Sequence, residues 1–334
     1  MTNRERFHRT LNFEKTDRLP MIEWAPWWDK TVANWEEQGL TIAELPGLTR
    51  GESLQVQFGL DLVMQLWPGP ASSDTPGAPY HGGPVIGGAE DYERILPTLY
   101  RGDALNRGAL ERIAAKQKTG EAIAWLTLDG FFWGPRSLLG IEPHLYTFHD
   151  DPELIHRINR DNLAYMHRAL DAVFEVFTPD FMSFAEDMSY NLGPMISERM
   201  FEEFMLPYYE RVVPRIREKG TRVFLDSDGD VSMLIPWFER VGVEGILPLE
   251  RQAGVDVGRL RSAHPNFLFI GHFDKMTMSR GAEAMRAEFE RLLPMMKIGG
   301  FIPSVDHQTP PGVMFSQYRD YLKLQREYAE KAMQ

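Results

Sequence analysis

Three acidic residues within five positions form the part of the sequence best suited to chemistry. Asp226, Asp228 and Asp230 directly follow the apolar run 223–225, which is typical of a buried strand. Unpaired charges are unstable inside a protein, so these carboxylates must face water, a cation or a ligand. A solvated turn that begins a helix would explain the same residues, because aspartate is favoured at both places. An EF-hand is excluded, because its twelfth position, which needs a bidentate glutamate, is Trp237.

The surrounding chain alternates short apolar runs with helical patterns. The runs predict eight strands, at 18–24, 61–66, 122–129, 181–185, 222–226, 245–250, 267–270 and 301–305. The main helices are predicted at 3–12, 29–39, 90–118, 151–177, 197–219, 231–241, 282–296 and 314–332, with 197–219 bent at Pro207 or Pro214. This alternation predicts an α/β fold, a single (β/α)₈ TIM barrel over 1–334 with an N-terminal helical extension.

Polar residues recur at the carboxyl ends of the predicted strands. They are Glu23, Asp129, Glu186, Asp187, Asp226, Asp228, Glu250, His272, Asp274, Asp306 and His307. In a (β/α)₈ barrel these ends converge on one mouth, where active sites are built. We therefore expect the active site at the C-terminal mouth, although the same acids could cap the helices that follow.

Carboxylates and imidazoles directed at one cavity indicate either a metal site or acid–base catalysis. The candidate metal ligands are Asp226, Asp228, Glu250 and His307, since the Asp-x-Asp spacing can present two carboxylates to one ion. Oxygen ligands with one nitrogen suit Zn²⁺, Mn²⁺ or Mg²⁺. Without a metal, crowded carboxylates would raise one another's pKa, so that one of them acts as a general acid.

Aromatic residues form a second group near the ends of the first three predicted strands. They are Trp24, Trp27, Trp28, Trp67, Tyr80, Phe131, Phe132 and Trp133. They could pack the loops, or they could form a wall for a flat apolar ligand such as an aryl ring or a macrocycle. The stretch 67–84 is rich in proline and glycine without periodicity, and we interpret it as a lid.

Composition excludes several classes of function. The 334 residues carry a net charge of −12, which argues against a nucleic-acid-binding surface. The chain has no cysteine, so disulfides, thiolate metal sites and a cysteine nucleophile are excluded. We expect a cytoplasmic protein without membrane segment or signal peptide. The methionine- and aromatic-containing helices could bury a dimer face, so a homodimer is one expectation.

Four groups of segments resemble the uroporphyrinogen decarboxylase superfamily, which includes cobalamin-linked methyltransferases. They are 3–6 (NRER) with 18–20 (RLP); 186–188 (EDM) and 193–197 (GPMIS) with 207–209 (PYY); 226–231 (DSDGDV) with 245–250 (GILPLE); and 271–275 (GHFDK) with 299–307 (GGFIPSVDH). The resemblance spans nearly the whole chain and implies a (β/α)₈ barrel.

The departures from the family's patterns bear on function. Porphyrinogen decarboxylases resemble one another in a Gln-Ala-Gly-Arg segment after strand 1, where this chain has 25–29 (APWWD). The thiol-methylating branch binds zinc through His-x-Cys after strand 5 and a Cys after strand 8. The matching positions here are Asp226, Asp228 and Asp306 or His307. Carboxylates and a histidine are harder metal ligands than cysteine thiolates, and a metal bound by them would suit polarising an ether or alcohol oxygen.

The resemblance therefore implies a methyltransferase that moves a methyl group from a small methoxy or methylated compound to the cobalt of a separate corrinoid protein. The divalent metal, with zinc among the options, would act as Lewis acid. Glu186 or Asp187 would donate a proton or anchor the substrate. The substrate-binding candidates are Trp24, Trp27, Trp28, Trp67, Tyr80, Trp133 and His272.

Two other functions remain open. One is a metal-independent decarboxylase or lyase of a non-porphyrin acid, in which Asp226 or Asp228 protonates a carbanion-like centre. The other is a barrel without catalysis that binds a corrinoid or an aromatic ligand.

Overall fold

A curled sheet of parallel strands organises the protein. The computed structural model describes residues 1–25, 27–102 and 105–334. The strands are β1 (Leu62–Leu66), β2 (Ala122–Asp129), β3 (Phe181–Ala185), β4 (Ser189–Tyr190), β5 (Gly193–Pro194), β6 (Arg222–Ser227), β7 (Gly245–Pro248), β8 (Leu268–Phe273) and β9 (Phe301–Val305). Seven of them pair in the order β1-β2-β3-β6-β7-β8-β9, while β4 and β5 form a small antiparallel hairpin after β3. The predicted TIM-barrel class is confirmed.

Helices connect the strands and cover the outside of the sheet. They are α1 (Asn3–Leu11), α2 (Asp29–Glu37), α3 (Arg50–Gln57), α4 (Ala89–Ile95), α5 (Arg107–Lys118), α6 (Trp133–Leu139), α7 (Ile141–Asp150), α8 (Pro152–Phe174), α9 (Glu198–Phe204), α10 (Leu206–Glu218), α11 (Leu234–Glu239), α12 (Val257–Ala263), α13 (Ala282–Ile298) and α14 (Phe315–Lys331). None of these described helices is both long enough and apolar enough to cross a membrane.

Two predicted helices are each split in the structure. The predicted helix 197–219 is α9 and α10, which meet at Met205, and Pro207 lies in the first turn of α10. Proline is well tolerated in a first turn because the backbone N–H groups there have no helical partner. The predicted helical region 90–118 contains α4 and α5, and its residues 103–104 lie outside the described part of the chain, as does Pro26.

The inside of the curled sheet is filled with apolar side chains. This cluster contains Phe7, Leu11, Ile22, Val63, Ile123, Trp125, Phe181, Phe224, Leu247, Leu268, Ile270 and Ile302. Phe7 and Leu11 belong to α1, and the Phe7 ring lies 5.1 Å from the ring of Phe181 at the start of β3. Helix α1, the predicted N-terminal extension, therefore closes the end of the barrel opposite the mouth.

The predicted first strand, 18–24, is wrong as a strand. In the described residues, this segment forms no strand pairing. Two hydrogen bonds nevertheless show that it lies between β1 and β9: Asp61 N donates to Met21 O (2.7 Å), and Trp24 N donates to Ser304 Oγ (3.4 Å). Pro20 has no N–H to donate to a ladder. On the β1 side, the Gln55 side chain already bonds both the N–H (2.9 Å) and the carbonyl (3.1 Å) of Val63. The eighth barrel position is thus an extended segment held partly by side chains.

Candidate functional site

A cavity of about 300 Å³ lies at the carboxyl ends of the strands. It is lined by Trp24, Ala25, Gln65, Trp67, Trp125, Trp133, Ala185, Glu186, Asp187, Asp226, Asp228, His307 and Gln308. Strands β1, β2, β3, β6 and β9, or the residues directly after them, supply most of this lining. The position agrees with the expected site at the C-terminal mouth.

Four tryptophans form the apolar walls of the cavity. Three have their indole N–H bonded to protein atoms: Trp24 to Val305 O (2.6 Å), Trp67 to Asp129 Oδ1 (2.8 Å) and Trp125 to Ser183 Oγ (3.0 Å). The fourth, Trp133, has the guanidinium of Arg136 5.1 Å from its ring centroid. These bonds occupy three of the four indole N–H groups, so those three are not available to donate to a ligand in the cavity.

Asp226 stands at the end of β6 and lines the cavity without a counter-charge. In the described residues its carboxylate has no hydrogen bond or ion pair; only its backbone carbonyl accepts bonds, from Glu186 N (2.9 Å) and Asp187 N (3.2 Å). Burial, and then the charges of Asp228 and Asp187, raise the pKa of Asp226 well above its usual value. This group can hold a proton or balance a positive charge.

Asp228, Glu250 and His307 offer ligand atoms that all lie within 4.8 Å of one another. His307 Nε2 is 3.4 Å from Asp228 Oδ2, and Gly229 N donates to Glu250 Oε2 (3.0 Å). The Asp228 carboxylate raises the pKa of His307. Of the four predicted metal ligands, the structure groups these three, and Asp226 is not among them.

A lysine lies near Glu250, at the carboxylate oxygen that Gly229 N does not bond. Lys275 Nζ is 3.8 Å from Glu250 Oε1 and 3.6 Å from Asp306 Oδ1. Asp306 is fully buried and accepts backbone bonds from Arg251 N (3.0 Å) and Lys275 N (3.1 Å). Asp306 is thus a strand-end acid that caps neighbouring backbone, and Lys275 partly balances the charge of the three-residue group.

Glu186 is engaged on both oxygens by the protein. Its Oε1 accepts from Phe131 N (2.8 Å) and the Tyr209 hydroxyl, and its Oε2 accepts from Phe132 N (2.7 Å) and Trp133 N (2.9 Å). Burial raises the pKa of Glu186 to about 7, against the effect of these four donors. The carboxylate sits at the start of α6, where backbone N–H groups favour an anion. Its contacts make Glu186 a residue that positions Trp133.

Asp187 is held by an ion pair. Arg136 Nη1 donates to Asp187 Oδ2 (2.8 Å) and to its carbonyl (2.5 Å), and the side chain remains about one-third exposed, at 34%. Burial raises the pKa of Asp187 first, while Arg136 opposes this shift. Asp187 has a positive φ of 42°, and its side chain lines the cavity.

Four of the predicted substrate-binding residues lie outside the cavity lining. Trp27 packs edge-on against Phe58 and Tyr318, with centroids 5.3 and 6.0 Å away. Trp28 is exposed at the start of α2. Tyr80 is 67% exposed and lies over Gly83, where an added Cβ would be 2.9 Å from its ring. The lid role of 67–84 stays a prediction.

The fourth, His272, is a structural residue. It is fully buried; Nδ1 lies 2.9 Å from Leu249 O, and Nε2 accepts from Val257 N (3.1 Å). This pairing places the proton on Nδ1, and burial lowers the pKa of His272 to about 4. It has a positive φ of 69° near the end of β8, and its side chain is not part of the cavity lining.

Sequence reasoning did not identify Gln65 and Trp125 as lining residues. Both lie on the inner face of the sheet, two positions after Val63 and Ile123 of the barrel interior. Gln65 Nε2 donates to Thr127 Oγ1 (2.8 Å), so a polar layer lies beneath the cavity. A glutamine at an inward position of an apolar strand was the available signal.

Comparison with known proteins identifies one family and several curated relatives. A family model described as uroporphyrinogen decarboxylase (URO-D) matches residues 139–328. The uroporphyrinogen decarboxylases of Bordetella pertussis and Bordetella bronchiseptica are each 28% identical over 178 residues, which is 49% of this chain and 46% of theirs. The chain thus spans about half the length of the curated relatives it matches.

A solved structure resembles the whole fold. A methyltransferase from Methanosarcina mazei superposes with a TM-score of 0.63 at 15% identity, over 98% of this chain and 99% of that one. At this identity the likeness establishes the fold alone.

Proposed function

The chain belongs to the uroporphyrinogen decarboxylase family, and on that premise we propose that it is a methyltransferase. It moves a methyl group from a small methylated compound to the cobalt of a corrinoid carried by a partner protein. One observation supports this most: a group of two carboxylates and one imidazole, Asp228, Glu250 and His307, adjoins a tryptophan-walled cavity through Asp228 and His307.

The cavity argues against a porphyrinogen as substrate. Its volume of about 300 Å³ is at the lower end of the range for small-molecule pockets, about 300–1,000 Å³, and suits a small ligand better than a macrocycle. Its charged lining consists of carboxylates and one histidine, with no arginine or lysine among the lining residues. A substrate with several carboxylates would be repelled by such a lining.

The three-residue group fits a divalent metal by its donor types. Two carboxylates and an imidazole suit Zn²⁺ or Mn²⁺, and fewer than four protein ligands leave room for a substrate atom. A bound metal would supply a Lewis acid that holds an oxygen of the substrate, whether or not that oxygen is the leaving atom. Gly229 N, by bonding Glu250 Oε2, keeps that side chain turned toward Asp228.

The chain's own residues would bind and orient the substrate. Trp24, Trp67, Trp125 and Trp133 enclose its methylated part and exclude water. Asp226 faces the same cavity and holds or receives a proton at its carboxylate. Glu186 keeps Trp133 in place through the backbone of 131–133, and Arg136 holds Asp187.

The test is methyl transfer to reduced cobalamin, followed by its absorbance, across a panel of methyl ethers and methylated amines. We expect transfer from at least one compound, loss after chelation, and restoration by added zinc or manganese. Asp228→Asn should reduce the rate at least tenfold, while Asp230→Asn, one residue beyond Gly229 and outside the group, should not. No transfer from any member of the panel by the metal-loaded protein would contradict the proposal.

A decarboxylase or lyase is the second candidate, because of Asp226. An acid whose pKa is raised inside an aromatic cavity can protonate a carbanion-like centre. This function predicts CO₂ release from a small acid that chelation leaves unchanged and Asp226→Asn abolishes. The chelator therefore separates the two candidates.

A further inference from the structure

Among the described residues, one of the carboxyl groups that line the cavity has no hydrogen-bonding or ionic partner from the protein. Of its four lining carboxylates, Glu186 is bonded by four donors, Asp187 by Arg136 and Asp228 by His307. Asp226 has no such partner in the described residues. A ligand bearing one positive charge would complete the cavity at Asp226, whereas an anion would meet it unshielded.

The walls are suited to the same kind of ligand. The faces of indole rings carry negative potential and attract cations within about 6 Å, most strongly among the aromatic side chains. Three of the four indole N–H groups are already bonded to Val305, Asp129 and Ser183, so they are not available as donors to an anion. The protein itself places the Arg136 guanidinium over Trp133.

The four wall tryptophans leave space between them. Among the described residues, none of these four rings contacts another of the four; Trp24 meets the edge of His307 and Trp125 stacks on Phe181. The space they enclose, about 300 Å³, suits a compact group such as trimethylammonium with a short chain.

We propose that the methyl donor is a methylated onium compound, a quaternary ammonium or sulfonium, whose cationic centre binds between the tryptophans beside Asp226. This proposal rests on the methyl transfer proposed above and names its substrate class. It differs from a flat neutral aryl ether, which would leave Asp226 without a counter-charge.

The chemistry balances without a proton donor. The bond from nitrogen or sulfur to the methyl carbon breaks, and its electron pair stays on that atom, which leaves as a neutral amine or thioether. The reduced cobalt of a corrinoid would supply the electron pair for the new bond to the methyl carbon. Such a leaving group agrees with Glu186, whose two oxygens are occupied by the backbone and Tyr209.

Direct binding tests the ligand class separately from turnover. Choline and its neutral isostere 3,3-dimethylbutan-1-ol differ essentially in the positive charge, so calorimetry with both isolates the charge. We expect choline to bind at least tenfold more tightly, equivalent to about 1.4 kcal/mol. Asp226→Asn should remove most of this preference while leaving the affinity for the neutral alcohol within about twofold.

Substituting one of the four tryptophans of the cavity tests choline binding independently of Asp226. Trp67 is 47% exposed, so Trp67→Leu is not expected to unfold the protein, and it should weaken choline binding about threefold or more. Tyr80→Leu, an aromatic of the same loop outside the lining, is the matched control and should leave the affinity unchanged.

The outcomes separate this inference from the proposed function. Equal binding of choline and its isostere would overturn the onium class, even if a neutral methyl ether proves to be a donor. Selective choline binding that depends on Asp226, without methyl transfer to reduced cobalamin from choline, tetramethylammonium or any member of the panel, would support the ligand class and contradict the methyltransferase.

Discussion

The imidazole of His307 lies 3.4 Å from the carboxylate of Asp228, across the gap between the loops that follow β9 and β6. Neither residue is near the other in sequence, and the barrel brings them together because both follow strand ends. Glu250, after β7, completes the group. The three side chains are only partly buried, so an ion from solvent can reach them.

We predict that this group binds a divalent metal. Asp228→Asn and His307→Gln should each lower the affinity for zinc or manganese at least tenfold, since even outer-shell partners of metal ligands contribute about 10–100-fold. Calorimetry on chelator-treated protein measures this. Asp230→Asn is the control, and equal affinities in all four proteins would show that the metal, if any, binds elsewhere.

Lys275 should weaken metal binding. Its ammonium is 3.8 Å from Glu250 Oε1 and competes with an ion for that carboxylate. Lys275→Gln should therefore raise the zinc affinity, by about threefold if the pair has the strength of an ordinary partly exposed ion pair. Lys323→Gln, at an exposed position of α14, is the charge-matched control. A lower affinity in Lys275→Gln would mean that the lysine orients Glu250 for the metal.

Glu23 should make the protein less stable as the pH rises toward neutrality. It is buried, accepts from Ser304 Oγ (2.8 Å) and the Tyr318 hydroxyl (3.1 Å), and burial raises its pKa from 4.5 to about 7. Between these two values the native state binds more protons than the unfolded state, so the free energy of unfolding falls as the pH increases. Glu23→Gln should flatten this part of the profile in urea unfolding at pH 5, 6 and 7. If Glu23→Gln leaves the pH dependence of the free energy of unfolding unchanged, Glu23 is not the group responsible for it.

His272 should act in the opposite direction. Burial lowers its pKa from 6.5 to about 4, so between these values the unfolded state binds more protons and stability falls as the pH decreases. The slope is at most about 1.4 kcal/mol per pH unit. His272→Asn is neutral and tolerates the positive φ, so it should lower stability overall but flatten the profile between pH 4 and 6.5. A wild-type slope in the variant would assign the acid sensitivity to another group.

The sequence predicted the barrel because alternation of apolar runs and helical patterns is set locally. It failed at 18–24, where the apolar pattern resembles a strand but the Gln55 side chain bonds Val63 on the facing edge of β1. That contact depends on tertiary structure and leaves no local signal.

The sequence identified the acidic residues at the strand ends as a group. Their individual roles depend on distances between side chains in the fold, which the spacing along the chain does not determine. Asp228 and His307 reach each other, whereas Glu186 and Asp306 bond backbone N–H groups. His272 illustrates the same limit, because its ring nitrogens lie against the backbone of Leu249 and Val257 inside the protein.

The last prediction concerns the contact between Gly130 and Glu186. A Cβ added at Gly130 would lie 2.1 Å from Glu186 Cδ, so Gly130→Ala must displace the carboxylate from the N–H groups of 131–133. We expect a loss of about 1–3 kcal/mol in the free energy of unfolding, the usual cost of overpacking a buried site. Because Trp133 follows directly, choline affinity should fall as well.

Gly51→Ala in α3, where the added Cβ meets open space, should be neutral or stabilising by up to about 1 kcal/mol. Glu186→Gln keeps the volume and changes only the donors and acceptors, so it separates the lost hydrogen bonds from the steric effect. Wild-type stability in both Gly130→Ala and Glu186→Gln would mean that Glu186 does not position Trp133.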